Sequence, residues 1–394
     1  MHEVDEPQSE EVAQLYRGFS TVVSRESETV YARICDGASQ DPFLISLLSS
    51  VPRNQRRPNI VLAAVHFLLL KGASSPLASY FPTVQLIASL DGRGDDEISC
   101  GPFSSAPSTP APPTGKDDPG NPFTEFRSFC KEHENEIATL LATRATQTNE
   151  IGRCAGILPA LEVVTNDHVM PLSLVDLGSS AGLNLLFDHY GYNFGGSQIE
   201  GAVNSRVRIS CEVRHGVISN VTIPSIASRV GVDRRPIDLS DEEEALWLLA
   251  CQWPQDLERF NRLRLAIDLA RELPETVSLI QGDLLEELPD IALSSPFDTH
   301  LCVMNTWVGA YLSVDQQERL RGILSAISYD RPVSWLFAES PYETPGFAAP
   351  ASPGGMSVKG STALVYDSIE HGVHRARRLA DMHPHGKWIH WWNN

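Results

Sequence analysis

The spacing of apolar residues changes once along this chain, near Pro171. Before that point the apolar positions recur every three or four residues, the period of helices with one buried face. "EVAQLYRGFSTVVSRES" (11–27) follows this period, and "NIVLAAVHFLLLKG" (59–72) predicts a core helix that ends at Gly72. "GPFSSAPSTPAPPTGKDDPGNP" (101–122) holds seven prolines and predicts a loop, in whole or part without order. The run 123–164 then predicts one or two more helices. After Pro171 short apolar runs alternate with helical ones. "LSLVDLG", "ASRVGVD", "VSLIQGD", "THLCVMN" and "PVSWLFAES" predict strands, with helices between them. Strands without polar alternation, separated by amphipathic helices, predict a mostly parallel sheet covered on both faces. "RVRISCEVRHGVISNVTIP" (206–224) alternates with period two and predicts a β-hairpin insert near 205–224. The tail predicts one or two closing strands. The expected organisation is an α-helical region over 1–165 and an α/β domain over 166–394.

Charge and composition narrow the partners. The 394 residues carry 50 acids against 31 bases, a net charge of −19. Such a surface repels polyanions, so non-specific nucleic-acid binding is not expected. Seven cysteines are scattered without a CxxC pair. This predicts reduced thiols and a cytoplasmic protein rather than a disulfide frame or a zinc site. "MHEVDEPQSEEV" is too acidic for a signal peptide. The longest apolar run, Ile60 to Leu70, is too short to span a bilayer, so no membrane is expected.

The candidate chemistry sits where the first strand ends. In "SLVDLGSSAGLNLLFD" (173–188) a buried strand meets a turn of small residues and then an apolar helix pattern. Two chemistries use such a turn: a cofactor loop and the nucleophile elbow G-x-S-x-G. A dinucleotide fingerprint would need glycines where Ser180 and Leu183 stand, and no Gly-Lys-Ser/Thr follows to make a phosphate loop. The pattern present is D-x-G-x-x-x-G, from Asp176, Gly178 and Gly182. It resembles the first motif of class I S-adenosylmethionine-dependent methyltransferases, with Ser180 in place of the middle glycine. That resemblance implies a Rossmann-like sheet and S-adenosylmethionine as cofactor. It implies a cofactor site built from Asp176, Gly178, Ser180, Gly182 and Asn184 around the turn. It gives Asp233, in "RVGVDRRPID", the ribose hydroxyls, and Asp283 with Leu284, in "QGDLLEELP", the adenine. Asn305 and Trp307, at the end of the fourth strand, fall near the transferring methyl. Methyl transfer to a small molecule is the function so implied, with a methyltransferase-type protein that binds a ligand without methylating as the alternative.

The elbow stays open as a second alternative: a serine hydrolase or acyltransferase using Ser180, with Asp283 or Asp298 and with His371, His383 or His385. Against it, helices rather than strands precede the turn, and no His-Gly pair precedes Ser180 to supply an oxyanion loop.

Further strings, among them "RRPNIVLAAVHFLLLKGA", "TRATQTNEIGRCAGILPAL", "WLLACQWPQ" and "HPHGKWIHWW", together resemble the DUF2332 family, which implies one integrated unit and lends no activity. "TRATQTNEIGR" concentrates polar residues just before the first strand. If helical, it puts Gln147, Glu150 and Arg153 on one face. Gln147, Asn149 and Arg153 are candidate substrate contacts, and Glu150 a candidate catalytic group braced by Arg153; otherwise the segment is a solvated face or an internal ion-pair network. Glu339 is a candidate general base beside Asn305. Trp307 and Tyr311 are candidate substrate-holding aromatics, or core. His383, His385 and His390 match no standard metal spacing, so no metal is expected. "DEEE" (241–244) predicts the first turn of a helix.

Overall fold

The computed structural model describes residues 6–26, 29–91, 121–196, 198–273, 276–355, 358 and 360–392. Most of the proline-rich run expected to be a loop lies outside the described residues. The chain divides into two compact units, one of Met1–Thr148 with Asp241–Asn261, the other of Asn149–Ser240 with Arg262–Asn394. The division falls at 148 rather than 165, and the first unit takes back a piece of the later chain.

The first unit is helical: α1 (Glu6–Arg25), α2 (Thr29–Ala38), α3 (Pro42–Ser49), α4 (Pro58–Leu70), α5 (Pro82–Asp91), α6 (Pro122–Glu132) and α7 (Glu134–Thr143). Proline opens α4 where its missing N–H costs nothing, and every residue of that helix except Asn59 is buried. The unit also holds α9 (Glu242–Ala250), which the acid run begins as expected. Asp241 is its N-cap, accepting from the amides of Glu243 and Glu244.

The second unit contains α8 (Cys154–Asp167), α11 (Leu284–Ser294) and α12 (Val314–Ile327), and the chain passes from the first unit to the second within α10 (Leu257–Glu272). Its strands are β1 (Leu172–Leu177), β2 (Gly191–Asn193), β3 (Glu200–Gly201), β4 (Arg208–Ser210), β5 (Glu212–His215), β6 (Ile226–Asp233), β7 (Ser278–Gln281), β8 (His300–Thr306), β9 (Val333–Glu339), β10 (Thr362–Glu370), β11 (Val373–Met382) and β12 (Trp388–Trp391). Nine of them form one sheet in the order β5-β12-β11-β10-β9-β8-β1-β6-β7. From β7 to β9 all neighbours are parallel, while β10, β11 and β12 join antiparallel. The protein is thus a mixed α/β structure with a large, mostly parallel sheet. Strands β1 and β8 are buried at every residue, which is why they read as unbroken apolar runs.

The period-two segment is not a hairpin. Its strand β4 pairs with β2 in a small three-stranded sheet, and β5 pairs with β12 in the large one. Alternation marks a half-buried strand but does not name its partner. The tail supplies three strands. Along the parallel stretch the chain order is third, second, first, fourth, fifth. The connections from β1 and β8 therefore leave in opposite directions, and the crevice position of open α/β sheets falls at the carboxyl ends between them.

Candidate functional site

The turn after β1 holds three left-handed residues: Gly178 (φ +75°), Ser180 (φ +53°) and Gly182 (φ +73°). The amides of Gly178 and Ser179 both donate to the Val232 carbonyl of β6, at 2.7 and 3.1 Å. A Cβ on Gly178 would lie 2.2 Å from Cγ2 of Val308, so only glycine allows the loop after β8 to close on this turn. Asp233 fastens the turn. Its Oδ2 accepts from the Ser180 amide at 2.9 Å, and its Oδ1 from the Arg235 amide at 2.8 Å. Asn149 supports the far side, its Oδ1 accepting from the Leu183 amide at 3.0 Å. The Ser180 hydroxyl is buried and meets no hydrogen-bond partner among the described residues.

Two buried acids lie at this end of the sheet. Asp176 is 1% exposed, and its Oδ2 has no hydrogen-bond partner among the described residues. Burial, reinforced by the charge of Asp233 and opposed by Arg153, pushes its carboxyl up to about 8. Glu339 is equally enclosed at the end of β9. Its Oε1 accepts from Asn305 Nδ2 (2.6 Å) and from the amides of Val308 (2.9 Å) and Gly309 (3.1 Å), while its Oε2 has no hydrogen-bond partner among the described residues. Burial pushes it up to about 7, against those hydrogen bonds and the Arg153 charge. Asn305 is held in turn by Trp335 Nε1, which donates to its Oδ1 at 2.7 Å. Between strand and loop, Trp307 takes φ +57° and donates from Nε1 to Thr362 Oγ1 at 2.8 Å. Arg153 reaches the Pro384 carbonyl with Nε (2.9 Å) and Thr306 with Nη1, and its guanidinium carbon lies 6.0 Å from the Trp307 ring centroid.

Other sequence candidates have specific local duties. Asp283 is the N-cap of α11, accepting from the Leu285 amide with Oδ1, and its Oδ2 pairs with Arg234 at 2.8 Å. Partial burial pushes its carboxyl up, but Arg234 and the cap outweigh this and hold it below its ordinary value. Leu284 is the first residue of that helix. Asn184 donates from Nδ2 to Thr306 Oγ1 at 3.4 Å. Glu150 is 4% exposed and pairs through Oε1 with Arg262 Nη2 (3.1 Å) and the Gly152 amide (2.9 Å). Arg262 therefore braces Glu150. Residues 144–150 form no helix, so the face that a helix would give Gln147, Glu150 and Arg153 does not form. Gln147 lies in the helical unit, its amide directed at the Cys251 thiol. Tyr311 ends a short 3-10 turn and is exposed. His383 and His385 form a turn in which the His385 amide donates to His383 Nδ1 at 3.0 Å. Among the described residues no group of three or more His, Cys, Asp or Glu is placed to hold a metal, and no helix is long and apolar enough to cross a membrane.

Arg262, Thr306 and Val308 complete the site without having been singled out from the sequence. Arg262 sits in a helical run, "NRLRLAI", that looks like any amphipathic face. A cavity of about 540 Å³ flanks the turn, lined by Ala181, Leu186, Ile237, Leu239, Val277 and Leu279 among others, so the turn has an acidic side and a largely apolar one.

The acids predict a pH dependence. An acid whose folded value is raised holds its proton in the folded state while the unfolded chain has lost it, so stability falls as pH rises through the interval. For Asp176 that interval runs from its ordinary value to about 8. Urea unfolding across this range is expected to show Asp176→Asn gaining on the wild type with rising pH, by at most about 1.4 kcal/mol per pH unit. A difference that does not change with pH contradicts the assignment.

The family model described as "Uncharacterized protein conserved in bacteria (DUF2332)" matches residues 13–97 and 108–391. No curated protein matches the chain.

Proposed function

Because the chain belongs to the DUF2332 family, whose description assigns no activity, the functional reading rests on the crevice, and we propose that it binds S-adenosylmethionine and transfers a methyl group to a small molecule. The observation that carries this is the pair of orphaned carboxylate oxygens, Asp176 Oδ2 and Glu339 Oε2, buried at the carboxyl ends of β1 and β9 beside the left-handed turn. Buried polar atoms are rarely left unpaired, and two acids in one crevice ask for a ligand that brings donors and positive charge. A Rossmann-like methyltransferase sheet fits the strand order and places its ligand at this crevice. When bound, the cofactor supplies an electrophilic methyl group on a cationic sulfur.

The chain's own residues do the rest. Gly178, Ser180 and Gly182 shape the turn. Most of its amides already have acceptors within the fold, so its contribution is contour more than donation. Asp233 keeps lone pairs for ribose hydroxyls beyond the two amides it holds, and Asp283 with Leu284 forms the adenine rim. Asn184 and Asn149 hold the helical turn that follows, and Asn305 orients Glu339. Glu339, poised near neutrality, takes the proton that the acceptor sheds. Trp307 and Tyr311 line the acceptor's entry, and Arg153 limits the repulsion between the acids. Glu150 acts at a distance, as a structural support. The elbow chemistry lacks support here, since the Ser180 hydroxyl is enclosed and no histidine hydrogen-bonds to it among the described residues.

Calorimetric titration of variants tests the reading. Asp233→Ala is expected to weaken S-adenosylmethionine binding at least tenfold, as the loss of one hydrogen bond to a charged group costs about 1.5–3 kcal/mol. Ser180→Ala is expected to bind as the wild type does. A folded Asp233→Ala protein with unchanged affinity contradicts the ribose assignment.

A further inference from the structure

At the other end of the sheet three side chains form a second array that the crevice does not use. Ser325 on α12 lies with its Oγ 2.8 Å from His374 Nε2, and His374 Nδ1 lies 2.6 Å from Asp367 Oδ2. We propose that Ser325, His374 and Asp367 form a nucleophilic site that accepts acyl groups from small activated esters.

The fold builds this array deliberately. Asp367 on β10 stands opposite Ala376 of β11, and His374 stands opposite Ile369, so the acid and the imidazole are diagonal neighbours on one face. That face is the core face: Val365 and Ile369 on either side of Asp367 belong to the main apolar cluster. An acid at a core position is costly unless partnered. Among the described residues Asp367 Oδ2 is partnered by His374, and Asp367 Oδ1 has no hydrogen-bond partner. The two-residue turn His371–Gly372 has positive φ at both positions, the requirement of the tight hairpin that matches strand twist. Ser328, at the end of α12, pins this turn by accepting from the His371 amide (3.0 Å) and the Gly372 amide (2.8 Å). The pin sets His374 against the helix.

The carboxylate accepts a hydrogen bond from His374 Nδ1–H, which leaves Nε2 as an acceptor for the Ser325 hydroxyl. That hydroxyl also lies 2.9 Å from the Arg321 carbonyl, so its proton is shared until a substrate arrives. Arg321 precedes Ser325 by one turn on the same helix face, and its buried Nε has no hydrogen-bond partner among the described residues, a donor for a developing oxyanion. Ser325 and His374 are partly exposed, and the space around Gly322, one turn back, is open.

The step balances with water as the co-reactant. Ser325 Oγ forms a bond to the acyl carbon while its proton passes to His374 Nε2. The ester C–O bond then breaks, and the leaving alkoxide takes that proton. Water repeats the sequence on the acyl-serine, releasing a carboxylic acid and the free serine. Asp367 is a positioning residue.

Treatment of the full chain with a fluorophosphonate, followed by peptide mapping, and with p-nitrophenyl acetate tests this. The expected result is an adduct on Ser325 and a burst of p-nitrophenolate, both lost in Ser325→Ala, a substitution that favours the helix. His374→Gln is expected to slow labelling on the order of 100-fold or more. Asp367→Asn is expected to slow it, and Asp367→Glu, which keeps a carboxylate for the imidazole, to recover part of the rate. Thermal melting identifies variants that fail to fold, and the wild-type result alone decides if all do. No adduct on Ser325 in the folded wild type, or equal labelling rates in a folded His374→Gln, overturns the proposal.

Discussion

Gly178→Val is expected to abolish S-adenosylmethionine binding, with affinity reduced beyond 100-fold, and to lower the melting temperature by several degrees. Two effects act together. The residue sits at φ +75°, where a β-branched side chain is strained. Its Cβ position is also 2.2 Å from Val308 Cγ2, so the loop after β8 must retreat. That loop carries the Val308 and Gly309 amides bound to Glu339, and the disturbance therefore reaches the buried acid as well. Gly178→Ala meets the same backbone strain with a smaller group and is expected to fall between. A valine variant that binds as the wild type does would show that the turn does not shape the ligand site.

Arg262→Ala is expected to cost about 3–5 kcal/mol of stability, the range for removing one member of a buried ion pair. Glu150 and Arg262 are 4% and 6% exposed at their side chains, with 3.1 Å between Oε1 and Nη2. The loss should be read from urea unfolding at pH 7. Replacing both partners, as in Glu150→Gln with Arg262→Met, should recover a large part of it, because neither charge is then stranded. A loss below about 1 kcal/mol in the single variant would place the pair with exposed ion pairs, where such values belong.

The strand ends of the crevice are legible in the sequence for a physical reason. A parallel strand buried on both faces leaves a short unbroken apolar run, and the first polar residue after it marks the rim. Asn305 and Glu339, in strands buried at every residue, are legible this way, whereas β6 and β7 are only partly buried and Asp233 and Asp283 rest on the methyltransferase resemblance. What those side chains hold is not legible, because the partners come from far along the chain: Asp233 meets the Ser180 amide, Glu339 meets Asn305, and Glu150 meets Arg262 across 112 positions. "TRATQTNEIGR" puts its polar residues on one face only if it is helical. Residues 144–150 form no helix, Ile151–Arg153 is a short 3-10 turn, and the Asn149 side chain accepts from the Leu183 amide. The strand β5 shows the same limit, with its alternation plain and its partner β12 some 175 residues away by sequence number. The Ser325 array is the extreme case, assembled by a hairpin register and a helix pin that no local pattern announces.

The most direct test of the account is calorimetric titration of the wild-type chain with S-adenosylmethionine and S-adenosylhomocysteine. The account predicts one saturable site per chain for each, weakened by Asp233→Ala and lost in Gly178→Val. No saturable heat with either compound up to millimolar concentration, in protein shown to be folded by its melting transition, would contradict it.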